Sequence, residues 1–285
     1  MNTKISVIMA VYNTKEEWLR ESIESILTQT LTDFEFIIIN DGSTNNAEEV
    51  ILSYKDMRIK YIKQENQGLA KSLNNGMDIA QGEYIARMDS DDISLPERFE
   101  KQISFLEKNP EISLVGTSYE MFPERKIVLH PDKVKFVDLL KGCFIAHPTV
   151  MFRKADFEKY NLKYNETFKA AQDYDLWSRA IRYLNFANLE EVLLKYRHHE
   201  ESISVSKKEI QNTNAQKVRQ NMLDFLTDDM EMQNRIKNAV FNNVIANSVS
   251  KKYSFWERIF SVKNSAKHKI ITILGIHIKL KRNKK

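Results

Sequence analysis

Three short polar clusters interrupt apolar runs in the first third of the chain: Tyr12-Asn13, Asn40-Asp41-Gly42-Ser43 and Asp89-Ser90-Asp91-Asp92. The last makes the strongest chemical demand. Carboxylates this close repel one another and any phosphate, so an anionic ligand shares such a turn only with a hard cation between them, Mg2+ or Mn2+. A solvated turn that caps the next helix is the plainer alternative. Ser94 and Glu97 have capping-box spacing and Pro96 suits a first helical turn, so a cap is expected there without the aspartates. A calcium loop is excluded: Ile93 and Ser94 stand where it needs a ligand and a glycine, and a strand-like run precedes it.

The elements that must position these clusters follow from hydrophobic periodicity. Apolar runs at 5–11, 34–39, 58–62 and 84–88 read as buried strands, and the polar clusters follow the first, second and fourth. Between them, Leu19, Ile23, Ile26 and Leu27 recur at helical spacing, 47–54 reads as a helix, and Gly68 opens another carrying Leu69, Leu73, Met77 and Ala80 on one face. Alternating strands and helices predict an α/β fold with a mostly parallel sheet flanked by helices, and ligands bind such sheets at the carboxyl ends of the strands. Further on, 112–117 and 150–152 read as strands, 172–183 as a helix, and 207–250 as largely helical. Asp89 and Asp91 share strand parity if the strand persists, and Arg87 has the parity to brace Asp89.

The bulk numbers limit the classes of function. With 285 residues, 42% hydrophobic and 29% charged, the chain is sized for one large domain, or one domain with appendages, and composed like a soluble globular protein. A lone cysteine, Cys143, excludes an intrachain disulfide framework and fits a reducing compartment. The N-terminus does not resemble a signal peptide, and no stretch reaches the roughly 20 apolar residues needed to span a bilayer. The net charge of +4 hides an asymmetry. Residues 251–285 carry eleven basic side chains and one acid, for +10, and the remainder carries −6. Isoleucines interleaved with the lysines favour an anionic membrane surface over nucleic acid as the partner of this tail.

The runs Ser6-Val7-Ile8-Met9-Ala10-Val11-Tyr12-Asn13, Asn40-Asp41-Gly42-Ser43-Thr44 and Gly82-Glu83-Tyr84-Ile85-Ala86-Arg87-Met88-Asp89-Ser90-Asp91-Asp92 closely resemble glycosyltransferase family 2, whose members are inverting enzymes with the GT-A fold. The similarity runs from residue 5 to about 204, and 68–74 and 93–102 resemble the members that build bacterial surface polysaccharides. It implies a catalytic domain at 1–204, divided into a nucleotide-sugar-binding half (1–110) and an acceptor half (111–204). A helical region (205–250) and a basic amphipathic tail (251–285) would follow. The partners implied are a nucleotide-sugar donor, a UDP-sugar foremost, and a glycan or lipid-linked saccharide acceptor. The expected location is the cytoplasmic face of the plasma membrane.

The resemblance also implies roles. Ala10, Tyr12 and Asn13 would line the nucleotide site, with Ala10 where the family often has proline. Asp41 matches the base-reading aspartate; a carboxylate accepts from N3–H of uracil, and turn stabilisation is its bland alternative. Asp89 matches the aspartate near ribose and metal, and Asp91 the direct metal ligand. Ala171-Gln172-Asp173-Tyr174-Asp175-Leu176-Trp177 resembles the family's Glu-Asp motif, with Gln172 in place of glutamate, and makes Asp173 the catalytic base. Helical spacing puts Asp173 on a face with Leu176, Trp177 and Ala180 and turns Asp175 elsewhere; a place in the first turn favours the ionised form. Tyr196-Arg197-His198-His199 resembles the family's closing loop, with His199 as a further metal or diphosphate ligand and His198 its local competitor. Lys71 is a candidate diphosphate contact, and His147 is either on the acceptor side or structural. A sugar nucleotidyltransferase is disfavoured because no glycine-rich loop follows the first strand, and the missing G-x-G-x-x-G disfavours a dehydrogenase. A non-catalytic nucleotide- or carbohydrate-binding subunit stays open.

Overall fold

The computed structural model describes residues 3–246, 260–264, 268–273 and 276–281. The chain divides into two compact units, Met1–Leu226 and Thr227–Lys285. The first therefore extends past residue 204, where the sequence places the end of the catalytic domain.

Strands β1 (Ile5–Val11), β2 (Phe34–Asp41), β3 (Ile59–Gln64) and β4 (Tyr84–Asp89) form the parallel half of a mixed sheet, in the order β3-β2-β1-β4. Every residue of β2 is buried, as in a strand covered on both faces, and Glu35 within its apolar run is paired with Lys60. Helix α1 (Glu16–Leu27) buries Leu19, Ile23 and Ile26 against this sheet, each side chain contributing roughly 1.5–3 kcal/mol by its burial. Helices α2 (Ala47–Ser53) and α3 (Leu69–Ile79) complete the crossovers. At Gly76 an added Cβ would lie 2.6 Å from Ile8 and 2.9 Å from Ile39, so only glycine lets α3 sit this close to the sheet.

Beyond β4 the sheet turns mixed. The two-residue β5 (Ile93–Ser94), helix α4 (Arg98–Lys108), β6 (Ile112–Phe122), β7 (Lys126–Val128), β8 (Lys133–Val134), α5 (Phe136–Lys141), β9 (Met151–Arg153), α6 (Lys154–Lys159), α7 (Gln172–Ala180) and β10 (Asn185–Arg197) follow in chain order. The sheet continues β4-β9-β6-β10-β5, with β9 antiparallel to both neighbours and β10 parallel to β6. The short helix α8 (Ile203–Ser206) leads into α9 (Lys208–Leu226), which buries Val218, Met222, Leu223 and Leu226.

Two expectations are corrected. Ser94 and Glu97 form no capping box. Ser94 lies in β5, where its hydroxyl accepts from Gln29 Nε2 and its N–H donates to Ser25 Oγ, while α4 begins at Arg98 with no side-chain cap. Strand parity also does not extend to Asp91, because β4 ends at Asp89 and the cluster sits in a turn. The long strand β10 is masked in the sequence by the exposed pair Glu190-Glu191, which breaks its alternation at a register shift between Leu189 and Val192.

In the second unit, α10 (Met230–Ala246) precedes an antiparallel sheet of β11 (Phe260–Asn264), β12 (His268–Ile273) and β13 (Ile276–Lys281). The single apolar run 270–278 is thus split between two paired strands. Phe260 pairs with Ile273 and Val262 with Ile271 between β11 and β12, and Ile271 pairs with Ile278 between β12 and β13. Residues 247–259 of the predicted helical region and tail lie outside the described residues. No helix among the described residues is long and apolar enough to cross a membrane.

Candidate active site

The carboxyl ends of β1, β2 and β4 open onto a cavity of about 640 Å³ in the first unit. Ala10, Tyr12, Asn13, Asp41, Asp89, Asp91, Asp173 and His199 all line it. Residues from both ends of the sequence reading thus meet in one space.

The first wall is fixed by backbone and amide hydrogen bonds. Asn13 takes a left-handed φ of 53°; its N–H donates to Ser43 Oγ, and its Oδ1 accepts from Thr44 N at 2.8 Å. Gly42 has φ 73°, and a Cβ there would lie 2.7 Å from Asn66 N, so this turn demands glycine. Asp41 is buried. Its Oδ1 accepts from Gln64 Nε2 and Gln67 N, and its Oδ2 from Gly68 N at 2.8 Å. A carboxylate has about four lone-pair sites, so one on Oδ2 is left for a ligand. Turn stabilisation and ligand reading are therefore compatible in Asp41.

The acidic turn forms the floor. Ligand atoms of Asp89, Asp91 and Asp92 all lie within 4.8 Å of one another. Arg87, itself buried, pairs with Asp89 as its parity predicts. Asp92 is buried behind them, where its Oδ1 accepts from Arg197 N and its Oδ2 has no hydrogen-bond partner. Burial, then repulsion by Asp89, raises the Asp91 carboxyl; burial, then repulsion by Asp91 and Asp89, pushes that of Asp92 well above the ordinary range. This is a set of oxygens short of positive charge. Its orphaned Asp92 oxygen and the adjacent imidazole fit a divalent cation.

The closing loop supplies that imidazole. His199 Nε2 lies 2.9 Å from Asp91 Oδ2, and its ring stands 4.5 Å from that of Trp18. His198, its neighbour, instead meets Glu124 at the surface and does not line the cavity. Arg197 ties the loop to the floor, donating from its backbone N to Asp92 and from Nε to the Asp91 carbonyl.

Asp173 comes from the opposite wall, in the first turn of α7. Ala171 precedes it in a left-handed conformation (φ 58°), a strained choice for a residue with a Cβ, and so aims the helix start at the cavity. Asp175 is turned away to Arg179, 2.8 Å distant, as the helical spacing predicts. The expected dominance of the helix N-terminus is corrected. Burial raises the Asp173 carboxyl, and backbone N–H groups with Arg87 only partly offset it. A carboxylate so destabilised is a stronger base when ionised.

One sequence candidate, Lys71, lies off the cavity, and another, His147, lines it as a buried, bonded ring. Lys71 points to Glu166, 3.4 Å away, and does not line the cavity; Leu69 and Ala70 face it from the same helical turn. Lys169 is the lysine at that wall, and nothing in its spacing signalled it. His147 lines the cavity but bonds Tyr164 Oη at 2.8 Å, and burial, with Arg87, holds it well below its usual range as a neutral ring. Trp18, Gln172 and Tyr196 also line the cavity, and Trp18 was legible only as a large aromatic one turn after the first loop.

The profile of Glycosyl transferase family 2 matches residues 6–174. The chain belongs to this family. An uncharacterized glycosyltransferase of Methanocaldococcus jannaschii is 44% identical over 205 residues, covering 68% of this chain and 70% of that protein. One from Haemophilus influenzae is 33% identical over 255 residues, covering 83% and 78%. Among solved structures, S. aureus TarS 1–349 in complex with UDP-GlcNAc superposes with a TM-score of 0.70 at 18% identity, covering 90% of this chain and 78% of that one. This glycosyltransferase therefore has the GT-A fold, and its family marks it as an enzyme.

Proposed function

We propose that this glycosyltransferase moves a sugar from a UDP-sugar to a hydroxyl of a bacterial surface glycan or lipid-linked acceptor, in a single displacement with inversion. The observation that carries the proposal is that Asp173 lines the same cavity as Asp41, Asp89, Asp91 and His199. The family supports transfer, and UDP and UDP-GlcNAc in the TarS complexes support the donor class.

Asp41 accepts the N3–H of uracil with its remaining lone pair, while Ala10, Tyr12 and Asn13 lie against the nucleoside. Asp91 and His199, with Asp89 beside them, are the residues that would hold a divalent cation; imidazole among carboxylates suits Mn2+ somewhat better than Mg2+. When bound, such a cation supplies electrostatic stabilisation to the charge that develops on the departing diphosphate. Asp173 takes the acceptor proton as the hydroxyl oxygen bonds to the anomeric carbon. The bond from that carbon to the diphosphate oxygen breaks with its electron pair, and UDP leaves. Burial of the wall around Asp173 excludes water that would compete with the acceptor.

The tail supports a second part of the proposal, that the enzyme works on an anionic membrane surface. Residues 251–285 carry a charge of +10 with isoleucines between the lysines, and each basic residue near such a surface is worth about 1 kcal/mol.

The test is a panel of radiolabelled nucleotide sugars with Mn2+ or Mg2+, scored for transfer or slow donor hydrolysis, with the anomeric configuration of the product read by NMR. Transfer with inversion from a UDP-sugar supports the reading. Pyrophosphate release from UTP and a sugar 1-phosphate would make the chain a nucleotidyltransferase. UDP binding with no turnover in any arm would make it a binding subunit.

A further inference from the structure

Gln172 stands immediately before the base, at the start of α7, and lines the cavity. It is 6% exposed, and its amide oxygen is buried with no hydrogen-bond partner. A buried amide left half-satisfied costs about 1–3 kcal/mol unless something completes it. At 6% exposure the side chain has little solvent to turn to. An amide both donates and accepts, and so does a hydroxyl. A sugar hydroxyl can therefore be bound whichever end of the amide faces the cavity.

The charge around Asp173 makes neutrality at this position matter. Arg87 and Asp89 reach it from β4 and Tyr164 from the segment before α7; Cys143 and His147 line the same cavity from the segment before β9, and Tyr174 follows it on its own helix. Arg219 of α9 lies 6.0 Å from the Tyr174 ring. Arg87 is the one cation of this group that acts directly on Asp173, and it is already shared with Asp89. A second carboxylate at 172 would add like charge beside Asp173, while the cation that acts on Asp173 is already engaged by Asp89.

We infer that Gln172 is a neutral sugar-hydroxyl subsite beside the base, an amide that binds one hydroxyl without adding a second negative charge next to Asp173. This rests on Asp173 lying at the reacting end of the cavity, as in the proposed function.

Two measurements test it on the full chain. In the first, protein labelled with 13C at aspartate carboxyls is titrated by NMR, with Asp173 assigned by its loss in Asp173→Asn. Gln172→Glu is expected to shift the Asp173 midpoint upward, and Gln172→Leu to produce no second titration step. An unmoved midpoint in a folded Gln172→Glu chain overturns the inference, whether or not the protein transfers sugar. In the second, calorimetry with Mn2+ compares UDP, UDP-glucose and UDP-N-acetylglucosamine in wild type and Gln172→Leu. A hydroxyl of the donor is indicated if a UDP-sugar loses about tenfold in affinity while UDP keeps its own. A hydroxyl of the acceptor is indicated if donor affinities hold and the acceptor KM rises by a similar factor. Parallel loss for UDP itself, or no change in any arm, overturns the subsite. Absence of transfer in wild type with a shifted Asp173 midpoint would defeat the proposed function and leave the Gln172–Asp173 coupling standing.

Discussion

The two halves of the catalytic unit build the same cavity by different means. In the parallel half, each functional side chain sits where a buried strand runs out, so Asp41 and Asp89 are the last residues of β2 and β4. In the mixed half, Asp173 rides on a helix start set by a strained alanine, and His199 on a loop beyond a bulged strand. A strand end is a by-product of sheet pairing and is hard to misplace. A helix start or a loop must be aimed by local contacts, and those are where a single substitution can retune the site.

The largest expected effect breaks the mixed half alone. Asp173→Asn keeps the shape but cannot take a proton, so transfer should fall by about 10²–10⁴ while UDP affinity by calorimetry is unchanged. A loss of only a few-fold would take the base role from this wall. Asp91→Ala strikes the other half. Metal-dependent UDP binding should weaken by at least tenfold and EDTA should no longer matter, since the floor loses the carboxylate that His199 meets at 2.9 Å. Unchanged UDP affinity with metal present would move the cation elsewhere.

A pH experiment sharpens the contrast through His147. Its folded pKa lies below its unfolded value, so above about pH 6.5 both states are neutral and it contributes no slope. As pH falls below that value, the unfolded chain binds a proton that the folded chain refuses. Stability should then drop by up to about 1.4 kcal/mol per pH unit from this group. Urea melts at pH 7.0 and 5.5 should show the drop in wild type, and a smaller one in His147→Gln.

The legible part of this molecule was its parallel half, for a physical reason. Uninterrupted apolar runs fix strands, and polar residues at their ends have nowhere to go but the strand-end edge. Helical periodicity likewise separated Asp173 from Asp175 correctly. What escaped was set by tertiary contact: Lys169 rather than Lys71 at the wall, β10 hidden by its bulge, and Ser94 taken by Gln29 instead of a helix cap. The sign of the Asp173 shift also escaped, because the helix start is visible in a sequence while the burial that outweighs it is not.

The smaller effects follow. Liposome flotation should carry the full chain with anionic vesicles and release it in high salt, whereas a chain ending at residue 250 should stay in solution and still bind UDP; unfolding of the truncated chain would make the tail part of the fold. Ala171→Gly should raise stability by about 1 kcal/mol in thermal melts, because glycine adopts the left-handed conformation without a Cβ penalty. No gain, or a loss, would mean that the methyl group's packing outweighs the strain.

Strand β10 acts as a measuring rod for the site. Its last residue, Arg197, is bolted at two points to the aspartate turn, and His199 follows only two residues later. The span from bolt to imidazole leaves no slack to absorb a change in length. An inserted residue at 190–191, on the solvent side of the existing register shift, can be swallowed by a larger bulge. The same insertion at 198 would carry the imidazole past Asp91. Tolerance to insertion should thus fall abruptly along a few residues of one strand, and a scan of single-residue insertions from 189 to 200 would map that edge directly.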